Sequence, residues 1–213
     1  MTAPPAPGSE GIPEKSRFPG KAYPSSCPPL PVDERARQVT HIVFGIGIAT
    51  FILIAGKDRA LPVLFGSLLL GLVLSDAVTK GYRIPLISTL VRELERPGVF
   101  PGKGAILFLF SSTFCLFFFP AEVVVPAVLA LAILDGVSSL AGQQFGRHRI
   151  GNGKSWEGTV AGIAVTALVL SPLVPPLQAL AVSVITGLVE LVTPVDDNLV
   201  IPPVVCLLLT LLP

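Results

Sequence analysis

The chain has 213 residues, of which 51% are hydrophobic and 14% are charged, and its formal net charge is +1. Soluble globular domains carry roughly 25% charged residues, so the composition argues against a soluble domain and predicts an integral membrane protein. The three cysteines, Cys27, Cys115 and Cys206, lack metal-ligand spacing, which excludes a cysteine zinc site and a disulfide framework.

Residues 1–34 form a tail rich in Pro, Gly and Ser. Because such a segment has little apolar surface to bury, we predict that it is disordered. It lacks the apolar core of a secretory signal, so we expect no leader there. Residues 35–213 are predicted to form one membrane domain.

The membrane domain contains seven apolar segments of roughly membrane-spanning length. They lie at residues 39–56, 60–78, 104–119, 123–143, 158–175, 177–193 and 199–212. We therefore predict an all-α polytopic membrane protein with about seven transmembrane helices.

Basic residues are distributed unevenly between the predicted loops. With seven spans, every Lys and Arg except Lys57 and Arg59 falls on one side of the membrane. The positive-inside rule makes that side cytoplasmic, together with the N-terminus, in a plasma membrane or endoplasmic reticulum. In the loop after the second span, residues 84–94 have apolar side chains at helical spacing. This spacing predicts either a helix on the membrane surface or an ordinary polar loop.

The stretch "GRHRIGNGKSWEGTVAG" contains Gly153, Lys154 and Ser155, which match the end of a Walker A motif. The first glycine of that motif would fall at His148, and a long apolar segment, not a strand, precedes it. Both departures exclude a P-loop.

Ionisable residues gather at the predicted cytoplasmic side. Asp135 ends the fourth segment, Glu190 lies in the sixth, and Asp197 precedes the seventh. Such residues at membrane depth indicate function by default, the alternative being structural pairing with a base. Carboxylates from three helix ends can converge on one Mg²⁺, which prefers oxygen ligands. The basic residues that could face phosphates beside it are Arg96, Arg147, Arg149 and Lys154.

A stripe of small and polar residues runs along the fourth segment. Asp135, Ser139, Gly142 and Gly146 recur at helical spacing on one face. Either a phosphate or a neighbouring helix could approach that face closely.

Two ordered blocks resemble the CTP-dependent lipid and polyprenol kinases, which include dolichol kinase, phytol kinase and the yeast-type diacylglycerol kinase. The first block is "LDGVSSLAGQQFGRHRIGNGKSWEG", with Asp135, Gly142, Phe145-Gly146-Arg147 and Lys154-Ser155-Trp156-Glu157-Gly158. The second is "VELVTPVDDNLVIP", with Glu190, Asp197, Asn198, Leu199 and Pro202. Weaker matches are Arg92 and Glu95 before the third segment, and Arg37, His41 and Gly45 in the first, where Gln38 replaces the family's lysine.

The resemblance implies transfer of the γ-phosphoryl group of CTP to the hydroxyl of a membrane lipid alcohol that is polyprenol-like, dolichol-like, phytol-like or diacylglycerol-like. It implies catalytic roles for Asp135, Lys154 and Asp197, and Mg²⁺ held by Asp135, Asp197 and Glu190. The implied nucleotide and phosphate ligands are Arg37, His41, Gly142, Gly146, Arg147, Ser155, Glu157 and Asn198. The expected partners are CTP, the lipid alcohol and the bilayer, and no nucleic acid.

Two other functions remain open. A CDP-lipid synthase also uses CTP in the membrane, but that family's Lys-Asp signature is missing near the C-terminus. A small transporter would use Asp135 and Glu190 as ion sites, although the sequence has no convincing internal repeat. The sequence identifies neither the lipid nor the oligomeric state.

Overall fold

The computed structural model describes residues 34–82, 84, 85, 89, 99–150 and 154–212. These residues form six α-helices and no strand longer than one isolated bridge. The helices are α1 (Glu34–Thr79), α2 (Lys103–Phe118), α3 (Ala121–Phe145), α4 (Trp156–Leu170), α5 (Pro176–Val192) and α6 (Asp197–Leu211). The all-α prediction is therefore confirmed. The tail at 1–33 and nearly all of the predicted surface helix lie outside the described residues.

Two of the six helices are long and apolar enough to cross a membrane. They are α1, with 46 residues, and α3, with 25. The other four are apolar but have only 15 to 17 residues. At about 1.5 Å per residue, such helices measure roughly 24 Å, whereas the hydrocarbon core is about 30 Å thick. The structure therefore supports two candidate spans and does not support seven transmembrane helices.

Helix α1 contains the first two predicted segments, which are separated only by a kink. At the kink, Gly56 has φ 72° and ψ 170°, a conformation that residues with a side chain rarely adopt. The next residue, Lys57, donates hydrogen bonds to the carbonyls of Phe117 and Phe119 at 3.0 and 3.1 Å. The Lys57 ammonium group therefore provides hydrogen-bond donors for carbonyls at the C-terminal end of α2. These bonds hold the kinked part of α1 against the end of α2.

Helix α3 is the centre of the bundle and contacts each of the other five helices. Its sequence is apolar on all sides from Val124 to Leu134, as expected of a buried helix. Small residues allow the neighbouring helices to approach it closely. A Cβ atom on Gly45 of α1 would collide with Ala132, and one on Gly158 of α4 would collide with the Ser138 carbonyl. Close packing of α1 and α4 onto α3 therefore depends on glycine.

We expect Gly45→Ala to destabilise the bundle, because the added methyl group would lie far inside the roughly 3.5–4.0 Å of a normal contact with the Ala132 Cβ atom. The expected cost is about 1–3 kcal/mol, as for other overpacked sites. Thermal unfolding of the purified protein in detergent measures it. Gly47→Ala is the matched control, since no atom lies within 4 Å of a Cβ there. Failure of Ala132→Gly to rescue Gly45→Ala would contradict the explanation.

Candidate functional site

A cavity of about 870 Å³ opens at the end of the bundle where α1, α2, α4 and α6 begin and where α3 and α5 end. Five carboxylates of the described residues line it, and three of them, from three different helices, lie close together: Asp135 of α3, Glu190 of α5 and Asp197 of α6. One oxygen from each lies within 4.8 Å of the others. The structure thus brings together the three acids that the sequence assigned to one site, and we call them the carboxylate cluster.

Glu190 is the most enclosed member of the carboxylate cluster, with its side chain 2% exposed. Its Oε1 accepts a hydrogen bond of 2.7 Å from Ser138 Oγ and lies 3.4 Å from Lys154 Nζ. Its Oε2 is buried and has no hydrogen-bond partner among the described residues. A buried carboxylate is costly unless a cation or donors compensate it, and the described residues compensate only one of the two oxygens of Glu190.

Lys154 joins two members of the cluster from the loop between α3 and α4. Its Nζ donates to Asp197 Oδ2 at 2.8 Å and to the Glu190 carbonyl at 2.7 Å. Partial burial of the ammonium lowers its pKa, but the Glu190 and Asp197 carboxylates outweigh that effect and raise the pKa above its ordinary value of 10.5. Lys154 is therefore positively charged at neutral pH.

If all three carboxylates are ionised, they carry three negative charges, and Lys154 supplies only one positive charge. Like Glu190 Oε2, Asp197 Oδ1 is buried without a hydrogen-bond partner among the described residues. One divalent cation would balance the remaining charge, and unpartnered carboxylate oxygens are the ligands that Mg²⁺ takes. The residues present therefore fit such an ion.

His41 approaches the third acid from α1. Its Nε2 lies 3.6 Å from Asp135 Oδ2, which is longer than a hydrogen bond. The imidazole ring meets the buried Phe108 ring edge-on, with centroids 5.2 Å apart. This contact holds the ring against Asp135 at the cavity wall.

The N-terminus of α2 contributes positive potential to the cavity wall. Gly102 has φ 77° and provides no side-chain cap to the helix. The first backbone N–H groups of a helix lack intrahelical partners and attract anions. Beside them, Lys103 Nζ lies 3.1 Å from Asp196 Oδ2. Arg37 of α1 also lines the cavity and pairs with Glu34. These groups suit phosphate oxygens.

The remaining residues that the resemblance implicated separate into two sets. Those that line the cavity are Arg37, His41, Gly142, Ser155 and Asn198, whereas Gly146, Arg147 and Glu157 do not line it. The Glu157 carboxylate instead accepts from His148 Nδ1 at 2.7 Å if that nitrogen is protonated, and from the His148 backbone N–H at 3.2 Å. Glu157, in the first turn of α4, thus binds the loop that carries Lys154 and does not face the cavity.

Two of the cavity residues also have structural contacts that their sequence motif did not reveal. Ser155 caps α4 by accepting a hydrogen bond of 3.1 Å from the Gly158 N–H. Gly142 faces Ser155 closely enough that a Cβ atom would clash with the hydroxyl oxygen. Helix packing therefore accounts for this part of the small-residue stripe.

Sequence reasoning missed Ser138 as the partner of Glu190, and it counted Lys103 only as a topology signal. Ser138 lies three residues after Asp135 and so shares its helix face, a spacing that could have identified it. No local pattern connects Lys103 with Asp196, because the two residues are distant in sequence and approach only in the folded bundle.

A comparison with known proteins identifies one related chain. The protein is 30% identical over 178 residues to the uncharacterized protein MJ1137 of Methanocaldococcus jannaschii, which covers 81% of this chain and 91% of the archaeal one. The chain therefore belongs to the same family as that protein. No family model matches the sequence, and no solved structure matches it.

Substitution Glu190→Gln should weaken binding of Mn²⁺, used as a spectroscopic substitute for Mg²⁺, because it removes one of the charges that the ion balances. We also expect Ser138→Ala to weaken it by about tenfold, the lower end for a residue that orients a ligand. Electron paramagnetic resonance of free Mn²⁺ gives the affinity. Glu122→Gln is the control, since Glu122 is exposed and lies outside the cavity. Equal Mn²⁺ affinity in Glu190→Gln and the wild type would exclude Glu190 as a ligand.

Proposed function

We propose that the protein is an integral membrane lipid kinase that transfers the γ-phosphoryl group of CTP to the hydroxyl of a membrane lipid alcohol. The observation that carries the proposal is the convergence of the carboxylate cluster, which shares one cavity with basic side chains and a helix N-terminus. Phosphoryl transfer depends mainly on positioning and charge neutralisation, and these groups supply both.

The proposed membrane arrangement counts α1 as two segments that meet at Gly56. The bundle then has seven apolar segments, and its shorter helices need not span the full hydrocarbon thickness if their ends are covered by protein. The cavity lies at the end that carries Arg37, Lys103 and Lys154. The positive-inside rule places that end in the cytoplasm, where CTP is available.

In this proposal Asp135, Glu190 and Asp197 hold Mg²⁺. When bound, the ion supplies positive charge that neutralises the phosphate oxygens. Lys154 orients the ligands, because it contacts one oxygen of Glu190 and one of Asp197, while the other oxygen of each has no hydrogen-bond partner in the described part of the chain. The fixed carboxylates need little rearrangement during the reaction, which favours catalysis.

Asp135 is proposed to accept the proton of the lipid hydroxyl. Lys154 forms no ion pair with its carboxylate, and His41 approaches it from α1. The hydroxyl oxygen then bonds to the γ-phosphorus, the bond to the β-phosphate oxygen breaks, and CDP leaves. The N-terminus of α2 with Lys103 and Arg37 would hold the phosphates in line for this displacement.

The proposal predicts that purified protein in mixed lipid with Mg²⁺ transfers label to a lipid alcohol from γ-labelled CTP and not from α-labelled CTP. Thin-layer separation of the lipid products measures both transfers. Label from the α position would instead indicate a CDP-lipid synthase. If a folded protein transfers neither label across a broad panel of alcohols, the kinase proposal is wrong, and ion transport through Glu190 becomes the function to test.

Asp135→Asn and Lys154→Ala should each lower kcat by roughly 100-fold or more, the range for removing a group that stabilises transition-state charge. Asp76→Asn is the matched control, because Asp76 is an exposed carboxylate that pairs with Lys80 outside the cavity. The comparison requires equal membrane insertion of the three variants. Full activity in both site variants would exclude the assigned roles.

A further inference from the structure

Residues of both α1 and α2 line the cavity and are also exposed. They are Thr40 and Phe44 on α1 and Ala105 on α2. Phe44 is 39% exposed, and its neighbour Val43 is 64% exposed. Phe44 therefore lies both at the cavity and next to an exposed apolar residue of α1. We call the gap framed by Thr40, Phe44 and Ala105 the lateral opening.

The wall of the cavity changes from polar to apolar along α1. Arg37, His41 and Phe44 follow one another at helical spacing and therefore lie on one face of the helix. From Arg37 to Phe44 the helix rises by about 10 Å, and from His41 to Phe44 by about 4.5 Å. Arg37 therefore lies nearest the start of α1, His41 lies further along the helix beside Asp135, and Phe44 lies furthest from the start.

A buried aromatic ring supports the inner side of the lateral opening. Phe108 of α2 is fully buried and contacts His41 and Phe44, with ring centroids 5.2 and 5.9 Å apart. Both contacts are edge-on, the arrangement that aromatic rings favour. Phe108 thus holds the Phe44 and His41 rings side by side at the cavity wall.

We propose that the lateral opening binds the hydrocarbon chain of the acceptor, which leaves the cavity between α1 and α2 while its hydroxyl group lies at His41 and Asp135. This inference rests on the proposed lipid kinase function and extends it to the class of acceptor. Because only about one helical turn separates His41 from Phe44, the hydroxyl must lie close to the apolar chain. A long-chain primary alcohol such as an isoprenoid alcohol has this form, whereas diacylglycerol places polar ester groups at that depth.

Substitution Ala105→Trp tests the opening by placing a large ring in it. We expect the kcat/KM for a long isoprenoid alcohol to fall by about tenfold or more, since small displacements of a reacting group are costly. For a short, water-soluble isoprenoid alcohol, which can enter from the aqueous side, we expect a clearly smaller loss, because its chain does not have to pass the new ring. Thr40→Trp should give the same pattern from the opposite helix.

Ala164→Trp is the matched control, because Ala164 is an exposed alanine of α4 that does not line the cavity. It should leave both acceptors unaffected. If Ala105→Trp and Thr40→Trp keep the wild-type kcat/KM for the long alcohol, the hydrocarbon chain does not lie in the lateral opening. An equal loss of kcat/KM for both alcohols would contradict the proposal as well. Phosphorylation of diacylglycerol as fast as the isoprenoid alcohol would overturn the acceptor class.

Crosslinking provides a test that does not depend on turnover. A long-chain alcohol with a photoactivatable group near its hydroxyl should label wild-type α1 or α2 around Phe44 and Ala105, and labelling should be lost in Ala105→Trp but not in Ala164→Trp. Labelling without phosphoryl transfer would reject the kinase and retain the opening. Phosphoryl transfer without labelling there would retain the kinase and reject the opening.

Discussion

The carboxylate of Glu190 is the constraint around which the cavity end of the bundle is organised. A carboxylate that is 2% exposed within an apolar helix bundle can be ionised only if donors and cations surround it. Ser138 and Lys154 reach it from α3 and from the loop before α4. Neither contacts its second oxygen, which is buried without a hydrogen-bond partner among the described residues, so the fold compensates one oxygen and leaves the other for a cation or a proton.

The loop that delivers Lys154 depends in turn on close helix packing. Its ends are joined by hydrogen bonds from the Ile150 N–H to the Lys154 carbonyl at 2.7 Å and from the Trp156 N–H to the His148 carbonyl at 3.2 Å. Gly158 and Gly162 then let α4 lie against the α3 backbone near Ser138. A larger residue at either glycine would move the start of α4, and with it the lysine, away from Glu190.

Sequence reasoning was strongest where a property belongs to a whole segment and weakest where it depends on contacts between segments. Apolar composition predicted the helices, and helix-end acids predicted the convergence of Asp135, Glu190 and Asp197. It did not predict that α1 continues through Gly56, because a glycine followed by charged residues is equally typical of a loop. Nor did it predict that Lys154 contacts the acids, since the motif gives a lysine's position in the chain and not the direction of its side chain.

The arrangement of the cavity wall bears on a requirement that any lipid kinase must meet, which is to favour an alcohol over water as the acceptor. In the cavity wall, Phe44 follows His41 about one helical turn further along α1. In the proposed function, a hydrocarbon chain against the Phe44 ring would displace water from the side where the acceptor oxygen must lie. Exclusion of water also strengthens the electrostatic interactions within the site. In the proposed function, the boundary between the polar and apolar walls would therefore select the acceptor and protect the transferred phosphoryl group from hydrolysis.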